Sequence, residues 1–336
     1  MRKFVLSAIL LSFPLASLAA IDIPDPSGRS GTPMKTSDFE EKLTFLKDKT
    51  KDQIGFKEAN SSAKTYREYV DTRSVIEGGG SESDKRIAVK AMYALAKRGL
   101  PSALNYIGVM LSNGYLVERD DPAAAKYFYE GAKRGDLHAK HNYGVSLILG
   151  RGAIKNEKSG VLLLEQNAAK RLPYSAVACG IFYENRKEWG NAIKCYQGAF
   201  GFSEHPIART RVAMMQIRGR VSNQKNFAEI KVSLNQAAKV WWPEAQWTLA
   251  DMARYGIGSK PDPFQTAFWL RILAQNPNAK NTEFAKRAEV GLGELYLTKE
   301  ASDAVNESVG IWLNGNQTVM PVIDYTRAVA EPSSGV

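Results

Sequence analysis

Two cysteines, three histidines and one long apolar run are all that this 336-residue chain offers of the features that commit a sequence to disulfide, metal or membrane chemistry. Cys179 and Cys195 are too few for a disulfide scaffold, so a hydrophobic core must carry stability, and a hydrophobic content of 44% supplies one. His138, His141 and His205 assemble no ligand set. The first pair shares one side of a helix, but no nearby Cys or third His completes a zinc site, so neither a metal nor a cofactor is expected. Gly-x-Ser-x-Gly, phosphate-loop and His-Glu-x-x-His strings are absent, and Gly78 to Gly80 follows no strand and reads as a linker. The net charge of +10 contains no basic run of five, so it reads as solvated helix faces and not as a nucleic-acid surface. An anionic envelope polymer is the acidic partner class that such a charge leaves open.

The apolar run lies at the start. Arg2 and Lys3 precede Phe4 to Leu18, and Ser17-Leu18-Ala19-Ala20 supplies small residues for cleavage. Residues 1–20 are therefore expected to be a signal peptide, whose removal lowers the charge from +10 to +8. No later stretch is long enough to span a membrane, and no Cys follows the cleavage site to carry a lipid. The expected location is periplasmic or secreted.

Residues 21–36, with Pro24, Pro26 and Pro33, read as a flexible leader. Residues 37–80 hold two expected helices, 37–59 with Phe39, Leu43 and Leu46 on one face and 63–77, followed by the glycine linker and a cap at Ser83 or Asp84. Beyond it the chain repeats with a period of 36: Ala103, Gly108 and Gly114 become Ala139, Gly144 and Gly150, and Lys97-Arg98-Gly99 becomes Lys133-Arg134-Gly135. Ala208, Ala213 and Gly219, then Ala245, Ala250 and Gly256, continue the frame, and a shortened unit with Gly180, Tyr183, Ala192, Tyr196 and Ala199 lies between. Such a period means stacked units, each too small to bury its own apolar face. Small residues let two helices of a hairpin approach, and Tyr127, Phe128, Trp269 and Leu270 fill the space around them. The repeats are placed at 81–275, a capping repeat at 276–313 and an extended tail at 314–336. Cys179 and Cys195 flank the bend of the short hairpin, where they form either a disulfide or two buried thiols.

Gly150-Arg151-Gly152 followed by Asn156, and Gly256-Ile257-Gly258 followed by Asp262, Ala267 and Trp269, resemble the glycine-rich loop and Asp, Ala, Trp pattern of Sel1-like repeats. Gly180 to Ala199 is more similar to a tetratricopeptide repeat. The resemblance covers roughly residues 65 to 313, although Leu116 replaces the second loop glycine of the first unit. It implies an all-α, right-handed α-solenoid of antiparallel hairpins, a non-enzymatic adaptor in bacterial envelope or virulence processes that binds a protein or peptide. If first helices line the concave face, as the resemblance also implies, the partner groove comprises Asn105, His141, Thr210 and Trp247 in one ladder and Val109, Val145, Met214 and Asp251 in a second. Some relatives are linked to β-lactam recognition, and Ser61-Ser62-Ala63-Lys64 and Ser222-Asn223-Gln224-Lys225 have Ser-x-x-Lys spacing. No Ser-Asp-Asn or Lys-Thr-Gly string accompanies them, so a β-lactam-binding or hydrolytic enzyme is the weaker alternative. A secreted factor binding a host protein is another.

Overall fold

The computed structural model describes residues 63–78, 80–199, 205–220 and 226–319. The signal peptide, the leader, the helix expected at 37–59, the serines of both Ser-x-x-Lys strings and the tail beyond residue 319 lie outside the described residues. Every regular element among the described residues is a helix. None of these helices is long and apolar enough to cross a membrane.

Hairpins follow one another along the chain. They are α1 (Ala63–Glu77) with α2 (Glu82–Lys97), α3 (Pro101–Asn113) with α4 (Asp121–Lys133), and α5 (Leu137–Leu149) with α6 (Glu157–Ala169). Next come α7 (Pro173–Asn185) with α8 (Trp189–Gln197), α9 (Pro206–Ile217) with α10 (Phe227–Lys239), and α11 (Pro243–Tyr255) with α12 (Pro263–Ala274). The first helices mostly open with proline at their first turn (Pro101, Pro173, Pro206, Pro243), where a missing N–H costs nothing. The second helices, α8 excepted, open with side-chain caps: Asp120, Asn156, Asn226 and Asp262 each accept from a backbone N–H of the first turn. At α2 the cap is Ser81 and not the expected Ser83 or Asp84, because the Asp84 side chain accepts from the Ser81 backbone N–H and closes a capping box. Gly114, Gly150 and Gly256 end α3, α5 and α11 in the left-handed conformation that favours glycine.

Each first helix from α3 to α11 touches the next first helix, with α13 (Glu283–Gly293) ending the row. Consecutive second helices meet closely only at α6 with α8 and at α12 with α14 (Lys299–Gly315). First helices thus form the continuous inner layer and second helices a more open outer one, an α-solenoid of stacked hairpins. Small residues set the spacing within a hairpin: Gly180 lies directly against the Tyr196 ring, where any side chain would collide. Cys179 and Cys195, both buried, are joined by a disulfide across the α7–α8 hairpin with a Cα–Cα distance of 5.6 Å.

Two boundaries differ from the sequence reading. The hairpin array begins at α1 and not at residue 81, since α1 packs on α2 and contributes Tyr69 and Ile76 to the same core cluster. At the other end α13 and α14 do not pair as a hairpin. Both pack on α12, and Trp312 of α14 sits 5.2 Å from Trp241 and 6.1 Å from Trp269, centroid to centroid. The indole N–H of Trp241 donates to the carbonyl of Asn316 at 2.6 Å, fixing the end of α14. The aromatic partners of α14 lie in the preceding repeats, which a hairpin frame read locally does not reveal.

Candidate functional site

The inner layer decides which side chains a partner could meet. A helix turns about 100° per residue, so residues four apart differ by about 40°. Asn105 accepts at Oδ1 from Asn142 Nδ2 at 2.8 Å, and His141 Nδ1 lies 3.1 Å from Ser175 Oγ. Both pairs join one first helix to the next. The expected first ladder therefore points into helix–helix contacts: Asn105 and His141 are 1% exposed and Thr210 is fully buried, its hydroxyl donating to the carbonyl of Pro206. Only Trp247 of that ladder keeps partial exposure.

Four residues on, after the 40° rotation, the second ladder keeps more exposure. Val109 and Val145 are half-buried, as is Ile181, which takes the same place in the short unit and was absent from the sequence-derived set because its shortened loop obscured the frame. Asp251 is also half-buried, whereas Met214 is buried and leaves the groove. Rows seven residues before and four residues after complete the face: Ser102, His138 and Tyr174 on one side, Asn113, Leu149 and Asn185 on the other. His138 is half-buried and not exposed, its ring 6.3 Å from Tyr174, which in turn lies 6.4 Å from His205.

Toward α9 and α11 the inner layer becomes ionic. Tyr196 OH donates to Glu184 Oε2 at 2.7 Å, Arg211 Nη1 lies 3.3 Å from Glu184 Oε1, and Arg211 Nε lies 3.3 Å from Glu244 Oε2. Burial works against the Arg211 charge, but Glu244 and Glu184 override it and hold its pKa above the ordinary value. Burial and the Glu184 carboxylate hold the Tyr196 phenol well above its own. These three interactions tie α7, α8, α9 and α11 together, and no sequence pattern marks ion pairs between residues this far apart.

At the end of the layer Trp247 donates to Asp251, and the Arg287 guanidinium lies 5.7 Å from the Trp247 ring centroid. Burial pushes the Asp251 carboxyl up to about 6, against the pull of Arg254 and Arg287 and the Trp247 hydrogen bond. Arg254 is ion-paired with Glu294 and lies 5.7 Å from the ring of exposed Tyr255.

The Ser175–His141 contact is closed to substrate. Ser175 and His141 are 0% and 1% exposed, and burial, aided by His138, holds His141 down at about 3. A nucleophile needs an opening through which substrate reaches it. Among the described residues no group of three or more His, Cys, Asp or Glu side chains could hold a metal.

The family model described as Sel1 repeat matches residues 101–136 and 243–278, the α3–α4 and α11–α12 hairpins. Among solved structures, a Sel1 repeat protein from Oxalobacter formigenes shares 20% identity over 76% of this chain and 99% of its own, with a TM-score of 0.56. That likeness speaks to the fold. The Escherichia coli protein c5321, a protective antigen of uropathogenic strains displaying an SLR fold, shares 16% identity over 75% of this chain and 69% of its own, with a TM-score of 0.33. No curated protein matches the chain.

Proposed function

Because the chain is a Sel1-like repeat protein, a family of generally protein-binding scaffolds, we propose that it is an exported, non-enzymatic scaffold. It holds an extended peptide or protein segment across the inner face of α3, α5 and α7. The observation that carries this reading is the row Val109, Val145 and Ile181: aliphatic, half-buried and repeated at one place on three successive helices. Apolar side chains there offer area to a partner, and Ser102, His138, Asn113 and Asn185 beside them offer orientation. Export rests on Arg2, Lys3 and the apolar run that follows them, and the partner is then a component of the cell envelope or its surroundings.

A photo-crosslinking residue at Val145 tests the site in living cells, with the same residue at exposed Leu162 on the outer layer as control. The expected result is one discrete adduct at position 145 and none at 162. Equal labelling at both places would remove the inner face from consideration. Fractionation of the same culture tests export: the protein belongs in periplasm or medium, and recovery from cytosol alone would overturn that part.

A further inference from the structure

Four turns from a second helix into the next first helix place a residue in the left-handed region, and the residues differ in kind. Two are glycine, Gly99 at φ 85° and Gly135 at φ 92°; the others are Arg171 at φ 61° and Trp241 at φ 63°. All four make the same turn, each backbone N–H returning to an alanine carbonyl three residues earlier, so glycine would serve at every one. A side chain at such a place is strained and persists where something offsets it. For Trp241 the offset is visible, since its ring packs on Trp312 and its N–H bonds Asn316. Arg171 is exposed, and its side chain forms no hydrogen bond or ion pair within the described residues.

Arg171 lines a cleft of about 400 Å³ between α6 and α8. This volume is at the lower end of ligand-sized clefts, roughly 300–1,000 Å³. Around it stand Arg171 and Lys194, with the amides of Asn191 and Gln197 and the carboxylate of Glu165, and Cys195 on the floor. Glu165 is held by the Tyr183 hydroxyl at 2.6 Å and forms no ion pair with either cation, and Asn191 Nδ2 donates to Glu188 Oε2 at 2.9 Å, which leaves the Asn191 Oδ1 to accept from a ligand hydroxyl. Helix capping does not account for Arg171, because the last carbonyls of α6, on Asn167 and Ala168, already accept from the N–H groups of Lys170, Arg171 and Leu172. Two unpaired cations beside two amides suit an anion with hydroxyl groups around it.

We propose that the α6–α8 cleft binds an anionic sugar, with Arg171 and Lys194 holding its phosphate or carboxylate and Asn191 and Gln197 its hydroxyls. The site lies on the outer layer and is independent of the inner face. Calorimetric titration of the full chain at fixed ionic strength tests it with three probes: glucose 1-phosphate, glucuronate and uncharged glucose. Saturable binding of a charged sugar and none of glucose is expected, and whichever charged sugar binds tells phosphorylated from carboxylated ligands. Arg171→Gly restores the residue that the turn favours, so it should melt close to the parent temperature while binding at least tenfold more weakly. Lys194→Gln should weaken binding by a similar factor. Absence of saturable binding by both charged sugars would overturn the proposal, as would affinities unchanged in both variants.

Discussion

His141 on α5 faces Ser175 on α7 with Nδ1 3.1 Å from Oγ, and the same hydroxyl accepts from Asn167 Nδ2 of α6 at 3.1 Å. Three helices of two repeats therefore meet at one serine, inside the protein. Loss of the imidazole leaves a hole and removes a partner from a buried hydroxyl, so His141→Ala should cost about 1–3 kcal/mol. Partner capture on the inner face should persist at temperatures where the variant is folded. Urea melts beside a crosslinking assay check both, and a variant as stable as the parent would mean that this contact does not form.

Acid should weaken the fold through the same residue. Burial lowers the pKa of His141 to about 3 and that of His205 to about 4, below the ordinary 6.5. Protons then bind the unfolded chain first. The stability carried by the neutral rings is complete above pH 6.5 and declines as pH falls toward 4 and 3, by about 1.4 kcal/mol per pH unit for each ring. Melting temperatures at pH 7 and pH 5 measure the decline, and a His141→Asn, His205→Asn double variant should show a much shallower one. An identical slope in the double variant would assign acid sensitivity elsewhere.

The fold was legible because its cause is local. A glycine at most hairpin bends (Gly114, Gly150, Gly219, Gly256) and small residues at the helix crossings are properties of single positions, and their recurrence survives in the sequence, although the α7–α8 bend has Lys187 instead. The exposure of the two ladders was half legible: Val109 and Val145 of the second keep partial exposure, while Asn105, His141 and Thr210 of the first, one 40° step away, are buried. Periodicity places a residue on a face, and only the position of the neighbouring helix decides whether that face is covered. Contacts such as Arg211 with Glu184 and Glu244, or Trp241 with Asn316, join different repeats and leave no trace at any sequence spacing. The cleft beside Arg171 was equally hidden, since its lining comes from both α6 and α8 and from the turn after α6.

Asp251 should oppose stability at neutral pH. Its folded pKa of about 6 exceeds the ordinary 3.8, so its contribution is fully present below 3.8 and is lost as pH rises through 6. Asp251→Asn mimics the protonated acid and should stabilise the protein at pH 7 by up to about 3 kcal/mol. Near pH 4 the variant and parent should melt together. A stabilisation of equal size at both pH values would refute the titration of this carboxyl as its cause.

The disulfide anchors α8, the shortest helix of the array, to α7. Cys179 and Cys195 close a separation of 16 residues, for which chain entropy gives about 3 kcal/mol. Cys195→Ser should lose an amount of that order, and the denatured, unreduced parent should titrate no free thiol. Two thiols per chain would refute the bond.

Two glycine substitutions should act in opposite directions. A Cβ at Gly144 would stand 3.0 Å from the Gly160 carbonyl oxygen and 3.2 Å from Leu164 Cδ2, between the two helices of a hairpin. Backbone cannot yield there as a flexible side chain can, so Gly144→Leu forces α5 and α6 apart at a cost of about 1–3 kcal/mol or more. The loss spreads, since each repeat is stabilised by its neighbours and α5 also carries the His141–Ser175 and Asn142–Asn105 contacts. Gly310, within α14, has nothing within 4 Å of the place a Cβ would take and no positive φ. Gly310→Ala therefore adds no clash and removes unfolded-chain freedom, and should stabilise by about 0.5–1 kcal/mol. Urea melts of the two variants decide the matter: a tolerated Gly144→Leu would mean that the α5–α6 spacing is wider than described, and a destabilising Gly310→Ala that α14 packs more closely against its surroundings.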